Sequence, residues 1–383
     1  MTETCVIGAG IIGSWAALHL SEAGEDTVLL EQFPLPHTRG SSHGASRAFR
    51  YLGDATMDRL DYSMGRWQSL EADHDVELFR KTGLLNFSPE DDPWLKQFMS
   101  VVRAAGKRCD WLESAAIHER FPLLNYPQEW GAAWDPDGGI LFAHRCLSAV
   151  QKAFLATGGH IVNARALRMD HSADAVRVEL ESSSGEKSEW REFSRIIVAC
   201  GPWTTRLIPE LKPLLKTLAI PVTYWRQRLP GHSAADGFPI LYNARLKGIY
   251  GLPACEYPDL VKILYHGGPE ADPDARDVPG REEYVAKVSE YVRRHLPGLD
   301  GRQPAIQEVC MYTMTPDSEP VIDRLGDRVV IGCGFSGSGF KHSPASGQML
   351  AKLALGQADS LGPGYQLPKY RLDRLEKYRA NDR

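Results

Sequence analysis

The sequence predicts an α/β (α+β) chain in which a domain on a parallel sheet is interleaved with a second domain on a mixed or antiparallel sheet. Three observations predict it. The first thirty-one residues run apolar strand, glycine-rich turn, helical stretch, second apolar strand, the pattern of a parallel β-α-β unit. A later apolar run, 195–204, again ends at a glycine, as a further strand of the same sheet would. Other strand-like runs recur between these without a sharp linker, so the two domains share the chain in alternating blocks. Length and composition agree. The 383 residues suit two or three domains. The 43% hydrophobic and 24% charged fractions are those of a globular protein, which excludes disordered, collagen-like and coiled-coil chains.

The opening segment carries the first chemistry. Cys5 to Ile7 are too few for a helix and fit a buried parallel strand. Gly8, Gly10 and Gly13 then give G-x-G-x-x-G, a helical stretch follows with Trp15, Ala16, Leu18 and Leu20 apolar, and it ends at Gly24. A second strand, Thr27 to Leu30, leads to Glu31, 23 residues after the first glycine. Gly8 permits the tight turn, Gly10 lets a pyrophosphate approach the backbone, and Gly13 lets helix and strand pack closely. The pyrophosphate rests on the helix N-terminus, and Glu31 accepts from ribose hydroxyls. This is a Rossmann-type dinucleotide site. The motif does not choose between NAD and FAD, although its place at the N-terminus favours FAD. Residues 4–21 lack charge and mimic a signal peptide, but only Glu3 precedes them, so the basic leading region is missing.

Residues 40–54, GSSHGASRAFRYLGD, read as a loop. Arg47 and Arg50 are three apart, which would set both on one side of a helical turn. Strands are expected at 84–87, 131–135 and 140–142, and helices at 94–105 and 146–157. Pro and Gly enrichment at 202–239 and 267–280 suggests loops over the second domain. In PDLVKILYHGG, from 258, alternation puts Leu260, Lys262, Leu264 and His266 on one face and Val261, Ile263 and Tyr265 on the other. A lysine within an apolar strand needs a partner or a wet pocket, unless the strand is an edge strand with Lys262 in solvent. Further on, Cys310 and Tyr312 share a strand face, 329–332 form another strand, and a glycine-rich loop ends in Ser343-Pro344, a helix cap and first turn. Lys341 sits just before that helix.

Some classes are excluded early. A net charge of −5 leaves no basic excess for nucleic acid. No run reaches the ~18 apolar residues of a membrane span. Seven scattered cysteines without C-x-x-C indicate a reduced compartment and no cysteine metal site. The last residues, Asn381-Asp382-Arg383, are not an S-K-L-type address, so a cytoplasmic location is expected.

The N-terminal fingerprint, SSHGASR, the IYGLP…KILYH stretch and CMYT…GFSGSGFK occur together and in order. In this the chain closely resembles the monomeric sarcosine oxidase family of FAD-dependent amine oxidases, over about residues 5–375. The resemblance implies FAD bound by residues 1–80, 144–212 and 318–383, and a substrate domain formed by 81–143 and 213–317. It implies a thioether from Cys310 to the flavin 8α-methyl, with His43 and Arg47 on the other flavin face supporting that linkage. Ser42, Ser46, Gly201, Gly334, Ser336, Gly337, Gly339 and Lys341 would join Gly8, Gly10, Gly13 and Glu31 around the cofactor. Arg50 and Lys341 would bind the substrate carboxylate, while Tyr312, His266 and Tyr250 line the pocket. Lys262 would activate oxygen beside flavin N5. The implied reaction oxidises a secondary amino acid, of sarcosine or L-pipecolate type, to an imine and reduces O2 to H2O2, in a monomer. Two departures stand out. Position 338 is Ser where the family usually has His, and the loop YLGDA is one residue shorter than usual, which leaves Asp54 only a part in shaping the pocket. Two other classes compete: an NAD-dependent amino acid dehydrogenase, which leaves CMYT unexplained, and a non-catalytic FAD-binding subunit, which has no need of Lys262.

Overall fold

The computed structural model describes residues 3–89, 92–171, 175–182, 188–243 and 248–379; the C-terminal tripeptide lies outside them. Among the described residues the first sheet has eight strands. Its centre is parallel, in the order His160–His171, Thr27–Glu31, Thr4–Ile7, Arg195–Val198, Val329–Cys333. The strands Thr27–Glu31, Thr4–Ile7, Arg195–Val198 and Val329–Cys333 are largely apolar because both faces are covered, whereas His160–His171 carries the exposed Arg165 and Arg168. Antiparallel strands flank the centre: Val176–Ser182 and Ser188–Phe193 on one side, Val321–Arg324 on the other.

Helix Ile11–Glu22 follows the first strand, and helix Ser343–Ala354 packs against it. The contact is close. A methyl group added at Gly347 would come within 2.5 Å of Trp15 Cβ, so the two helices approach where one lacks a side chain. Trp15 is fully buried there, edge-on to Trp67.

The second sheet also has eight strands, in the order Ile306–Met314, Lys216–Arg226, Leu260–Tyr265, Ile249–Tyr257, Ile240–Asn243, Leu84–Pro89, Trp130–Asp135, Asp110–Leu112. It is antiparallel except where Ile240–Asn243 meets Leu84–Pro89. The expected alternation holds in Leu260–Tyr265. Val261 and Ile263 join the core under helix Glu282–His295, while Leu260 and Leu264 join a small cluster with Ile220, Val222 and Cys310. A three-stranded sheet, Ser46–Phe49, Gly139–Phe142 and Phe79–Lys81, lies between the two large sheets in the chain order.

Three local expectations are corrected. The 202–239 stretch is not all loop: it contains the eleven-residue strand Lys216–Arg226. Pro221 is tolerated because this part of the strand is laddered on one side, to Val309, and its missing N–H breaks no pairing on the other. The helix after the glycine-rich loop begins at Ser343 itself, with His342 at the cap position, and the Ser343 hydroxyl donates to the Phe340 carbonyl rather than capping a helical N–H. Arg47 lies in the strand Ser46–Phe49, so the helical turn expected to align it with Arg50 is absent. An extended strand sends side chains to alternate faces, and residues three apart then diverge.

Candidate active site

A cleft of about 1900 Å³ between the parallel sheet and the second sheet is lined by every candidate residue except Gly13. Drug-sized pockets occupy roughly 300–1,000 Å³, so this one has room for a dinucleotide and a small second molecule. At one end stands the glycine fingerprint. Gly8 has a left-handed φ of +105°, and a Cβ on Gly13 would meet the Gly8 carbonyl oxygen at 1.9 Å. Glu31 is buried, and its carboxylate accepts from Ala9 N at 3.0 Å and Phe33 N at 3.1 Å. The Ser42 hydroxyl accepts from Ile11 N at 3.0 Å, which places it at the N-terminus of the first helix. The glycine turn, the positive end of the helix dipole and an acid at the end of the second strand suit a dinucleotide.

The 40–50 segment runs along the cleft. Arg47 donates to the carbonyls of Ser46, Ser41 and His43 at 2.7, 2.9 and 2.6 Å, and its guanidinium lies over the Phe340 ring. It therefore fastens the loop to itself. His43 bonds the Gly40 carbonyl, and burial, with a smaller repulsion from Arg47 and Arg276, pushes its imidazole down to about 4. It is neutral at pH 7. Cys310 is buried, and its Sγ lies 3.8 Å from the Ser41 carbonyl oxygen.

The aromatic wall comes from three places. Tyr250 and Tyr312 hydroxyls are 2.9 Å apart, and the His266 ring lies 4.9 Å from that of Tyr312. Burial, above all, raises the Tyr250 phenol to about 12 and Tyr312 well above its ordinary value. Burial, with Arg50 adding, lowers His266. None of the three carries charge at neutral pH. The glycine-rich loop presses on this wall. Gly337 has φ +83°, and a Cβ there would meet His266 Cε1 at 2.5 Å and Tyr312 Cε2 at 2.9 Å. Gly201, Gly334 and Gly339 also line the cleft, as does Ser336, whose hydroxyl accepts from Thr315 N at 3.1 Å. At the departure position 338, Ser338 Oγ folds back onto the Phe335 carbonyl at 2.9 Å.

Both lysines are buried and both have acid partners. Lys262 is not on an edge: its strand is flanked by Lys216–Arg226 and Ile249–Tyr257, and its Nζ is 2.8 Å from Glu256 Oε1. Lys341 Nζ is 2.7 Å from Asp54 Oδ2, and His342 Nε2 is 2.6 Å from the same oxygen. Asp54 thus has a definite place as a counter-ion. Burial works to raise its carboxyl, but Lys341 and His342 hold it well below the usual range. Burial pushes Lys341 down to about 8 against the pull of Asp54, with Arg50 adding to the depression. Arg50 itself bonds the Leu52 carbonyl and lies 4.8 Å over the Tyr242 ring.

The family of FAD dependent oxidoreductases matches residues 3–353 of this chain. The chain belongs to that family. Its NAD-dependent reading is thereby overturned, and FAD is the cofactor that this cleft takes. Peroxisomal sarcosine oxidase of Mus musculus is 36% identical over 385 residues, spanning 97% of this chain and 96% of that protein. Monomeric sarcosine oxidase of Bacillus sp. (strain B-0618) is 31% identical over 372 residues, 92% of each. Among solved structures, L-proline dehydrogenase from P. horikoshii shares the fold with a TM-score of 0.81 at 20% identity, covering 97% of this chain and 98% of that one. Among the described residues of this FAD-dependent oxidoreductase no helix is long and apolar enough to cross a membrane, and no group of three His, Cys, Asp or Glu could hold a metal ion.

Sequence reading left Glu256 and His342 without roles. Glu256 lies within the IYGLP…KILYH stretch, and a lone acid in a hairpin whose return strand carries a lysine was the available signal.

Proposed function

We propose that this flavoprotein is an oxidase of secondary amino acids of sarcosine or L-pipecolate type, working as a monomer. It forms the imine and passes the electrons to O2, giving H2O2. The observation that carries this reading is the meeting, in one cleft, of the dinucleotide fingerprint with two cations, an uncharged aromatic wall and the buried Lys262.

When bound, FAD supplies the two-electron acceptor that protein side chains lack. Gly8, Gly10, Gly13, Glu31 and Ser42 would hold its dinucleotide end, and Cys310 would anchor the ring system covalently. Arg50 and Lys341 take the substrate carboxylate, the first as a rigid fork and the second as a point charge. Fixing the carboxylate fixes the C–H beside nitrogen, and such orientation contributes several kcal/mol, within the ~7–11 reached by well-oriented reactions. The substrate amine must be uncharged to release electrons. Two nearby cations disfavour its protonation, while neutral His266, Tyr250 and Tyr312 add no carboxylate that would favour it. Lys262 offers a positive charge to oxygen as it becomes anionic.

The test is a peroxide-release screen with sarcosine, L-pipecolate, L-proline and larger N-methyl amino acids. Peroxide with at least one is expected; a yellow protein silent toward all would be the non-catalytic subunit instead. The covalent linkage has its own test. Acid precipitation should leave the yellow colour in the pellet, and Cys310→Ser should release it to the supernatant. Wild-type protein that loses its colour under acid rejects the linkage.

A further inference from the structure

Lys262 and Glu256 form an ion pair in which the side chains are only 8% and 6% exposed. Three other donors hold the carboxylate: Ala45 N at 3.2 Å, the Ser46 hydroxyl, and the Tyr224 hydroxyl at 3.0 Å. Two of these belong to the loop that lines the cofactor cleft. The ladder between the two strands of the hairpin is irregular between Leu252 and Tyr257, and this lets Glu256 reach the face that carries Lys262. The Lys262 Nζ is also 3.4 Å from the Ser46 carbonyl oxygen.

We propose that Glu256 is a positioning residue for oxygen reduction: it keeps the Lys262 ammonium charged in a dry site and fixes the place of its Nζ beside Ser46. This rests on the reading of Lys262 as the oxygen-facing cation. An unpaired ammonium at this depth would discharge, because desolvation penalises the charged form. A carboxylate with three further donors satisfies its own lone pairs and stays ionised while it holds the lysine. Burial works to raise the Glu256 carboxyl, but Lys262, Ser46 and Tyr224 outweigh it and leave it below the usual range.

The other titratable groups around the pair do not supply a second counter-ion. Tyr224 is held well above its ordinary value by burial, with Glu256 and Glu308 adding, so it remains a donor. Glu308, on Ile306–Met314, is occupied by the Tyr224 and Tyr257 hydroxyls. His144, on the helix Ala143–Ala156, is lowered by burial and by Arg145. Arg47 is engaged with loop carbonyls. Cys255, beside Glu256, is raised to about 11 by burial and the Glu256 charge. Among the described residues Lys262 is the only cation that hydrogen-bonds Glu256.

The test uses the purified flavoprotein and four variants: Glu256→Gln, Glu256→Asp, Lys262→Met and the Glu256→Gln/Lys262→Met pair. The first readout needs no turnover. Thermal denaturation at pH 7 should show Glu256→Gln as the least stable, with the double variant partly restored because no buried charge is left unpaired. Additive losses in the double variant would make Glu256 a space-filling residue and overturn the proposal.

The second readout separates the half-reactions. Anaerobic bleaching by substrate should be unchanged in Glu256→Gln. Reoxidation by O2 should slow at least about tenfold in Glu256→Gln, toward the rate of Lys262→Met. Glu256→Asp should slow reoxidation only severalfold, since it keeps the charge but draws Nζ away. Should Glu256→Gln not fold, Glu256→Asp decides: a wild-type reoxidation rate there overturns the proposal. If Lys262→Met reoxidises normally, the oxygen reading of Lys262 fails. If Lys262→Met is slow while Glu256→Gln keeps the wild-type rate, that reading stands and the role of Glu256 fails.

Discussion

The two buried lysines of the cleft make a controlled comparison. Each has a carboxylate at hydrogen-bond distance, 2.8 Å for Lys262 and 2.7 Å for Lys341. Each is almost fully buried. Their neighbours differ. Glu256 gives its charge to one cation and is steadied by neutral donors. Asp54 pairs with the Lys341 ammonium and also bonds His342, which burial pushes down to about 4 and which is therefore neutral at pH 7, while Arg50 and Arg59 add positive charge beside them. Arg59 is itself 2% exposed, and among the described residues it hydrogen-bonds only hydroxyls, Tyr370 at 2.6 Å and Ser346 at 3.2 Å. The Lys341 end therefore has more cations than anions, which suits a substrate that arrives with a full negative charge. The Lys262 end is balanced, which suits an anion that exists only during the reaction. A lysine's partner alone does not define its task; the sum of the charges beyond the partner does.

The strongest way to break this comparison is to remove the balanced lysine. Lys262→Met keeps the apolar stem and deletes the charge. Loss of one preorganised charge at a developing anion costs about 10²–10³ in rate. Stopped-flow should show anaerobic bleaching near the wild-type rate and reoxidation slowed by at least tenfold. Slow bleaching with normal reoxidation would move Lys262 to the substrate. His266→Asn is the internal control, since it should mainly alter bleaching.

The second prediction concerns the cation-rich end. Among the described residues Arg50 hydrogen-bonds no carboxylate, so its guanidinium is available to a substrate anion. A charge-assisted hydrogen bond contributes about 1.5–3 kcal/mol. Arg50→Ala should weaken a simple carboxylate inhibitor by about tenfold to a hundredfold. Lys341→Met should cost less than about tenfold, because Asp54 already takes part of its charge. Equal losses in the two variants, or none in either, would erase the proposed difference. The readout is the perturbation of the flavin spectrum on titration with propionate.

Much of this arrangement was legible in the sequence, and what was not has a physical cause. The β-α-β fingerprint could be read because each glycine meets a local demand, as the Gly8 φ and the Gly13 contact show. Alternation placed Lys262 on the correct face because Leu260–Tyr265 is a regular strand. Alternation could not place Glu256, because it lies in the interval Leu252 to Tyr257 over which the ladder shifts register. Asp54 was opaque for a different reason. Its partners are 287 and 288 residues away in the chain, and no local pattern encodes a pairing that only the packing of helix Ser343–Ala354 completes. The Arg47–Arg50 spacing misled because a period of three has meaning only on a helix, and Ser46–Phe49 is a strand.

The finest test of the difference between the lysines is pH. Lys341 is pushed down to about 8, chiefly by burial, with Asp54 opposing and Arg50 adding to the shift. Propionate is ionised throughout the range above pH 6, so only the protein titrates. The charged form of Lys341 attracts the carboxylate, so affinity is full below about 8 and declines as pH rises through it. Binding the anion stabilises the ammonium, and the decline levels off once pH exceeds the higher value in the complex. The total change should be no larger than the loss in Lys341→Met, below about tenfold. Lys341→Met should show no such limb, whereas Arg50→Ala should retain it on a weaker baseline. Asp54→Asn removes the group that opposes the burial penalty, so its limb should begin at lower pH, and affinity should already be falling near neutrality. A wild-type affinity that stays flat to pH 9.5, or a limb that persists in Lys341→Met, would assign the titration to another group and leave the two lysines electrostatically alike.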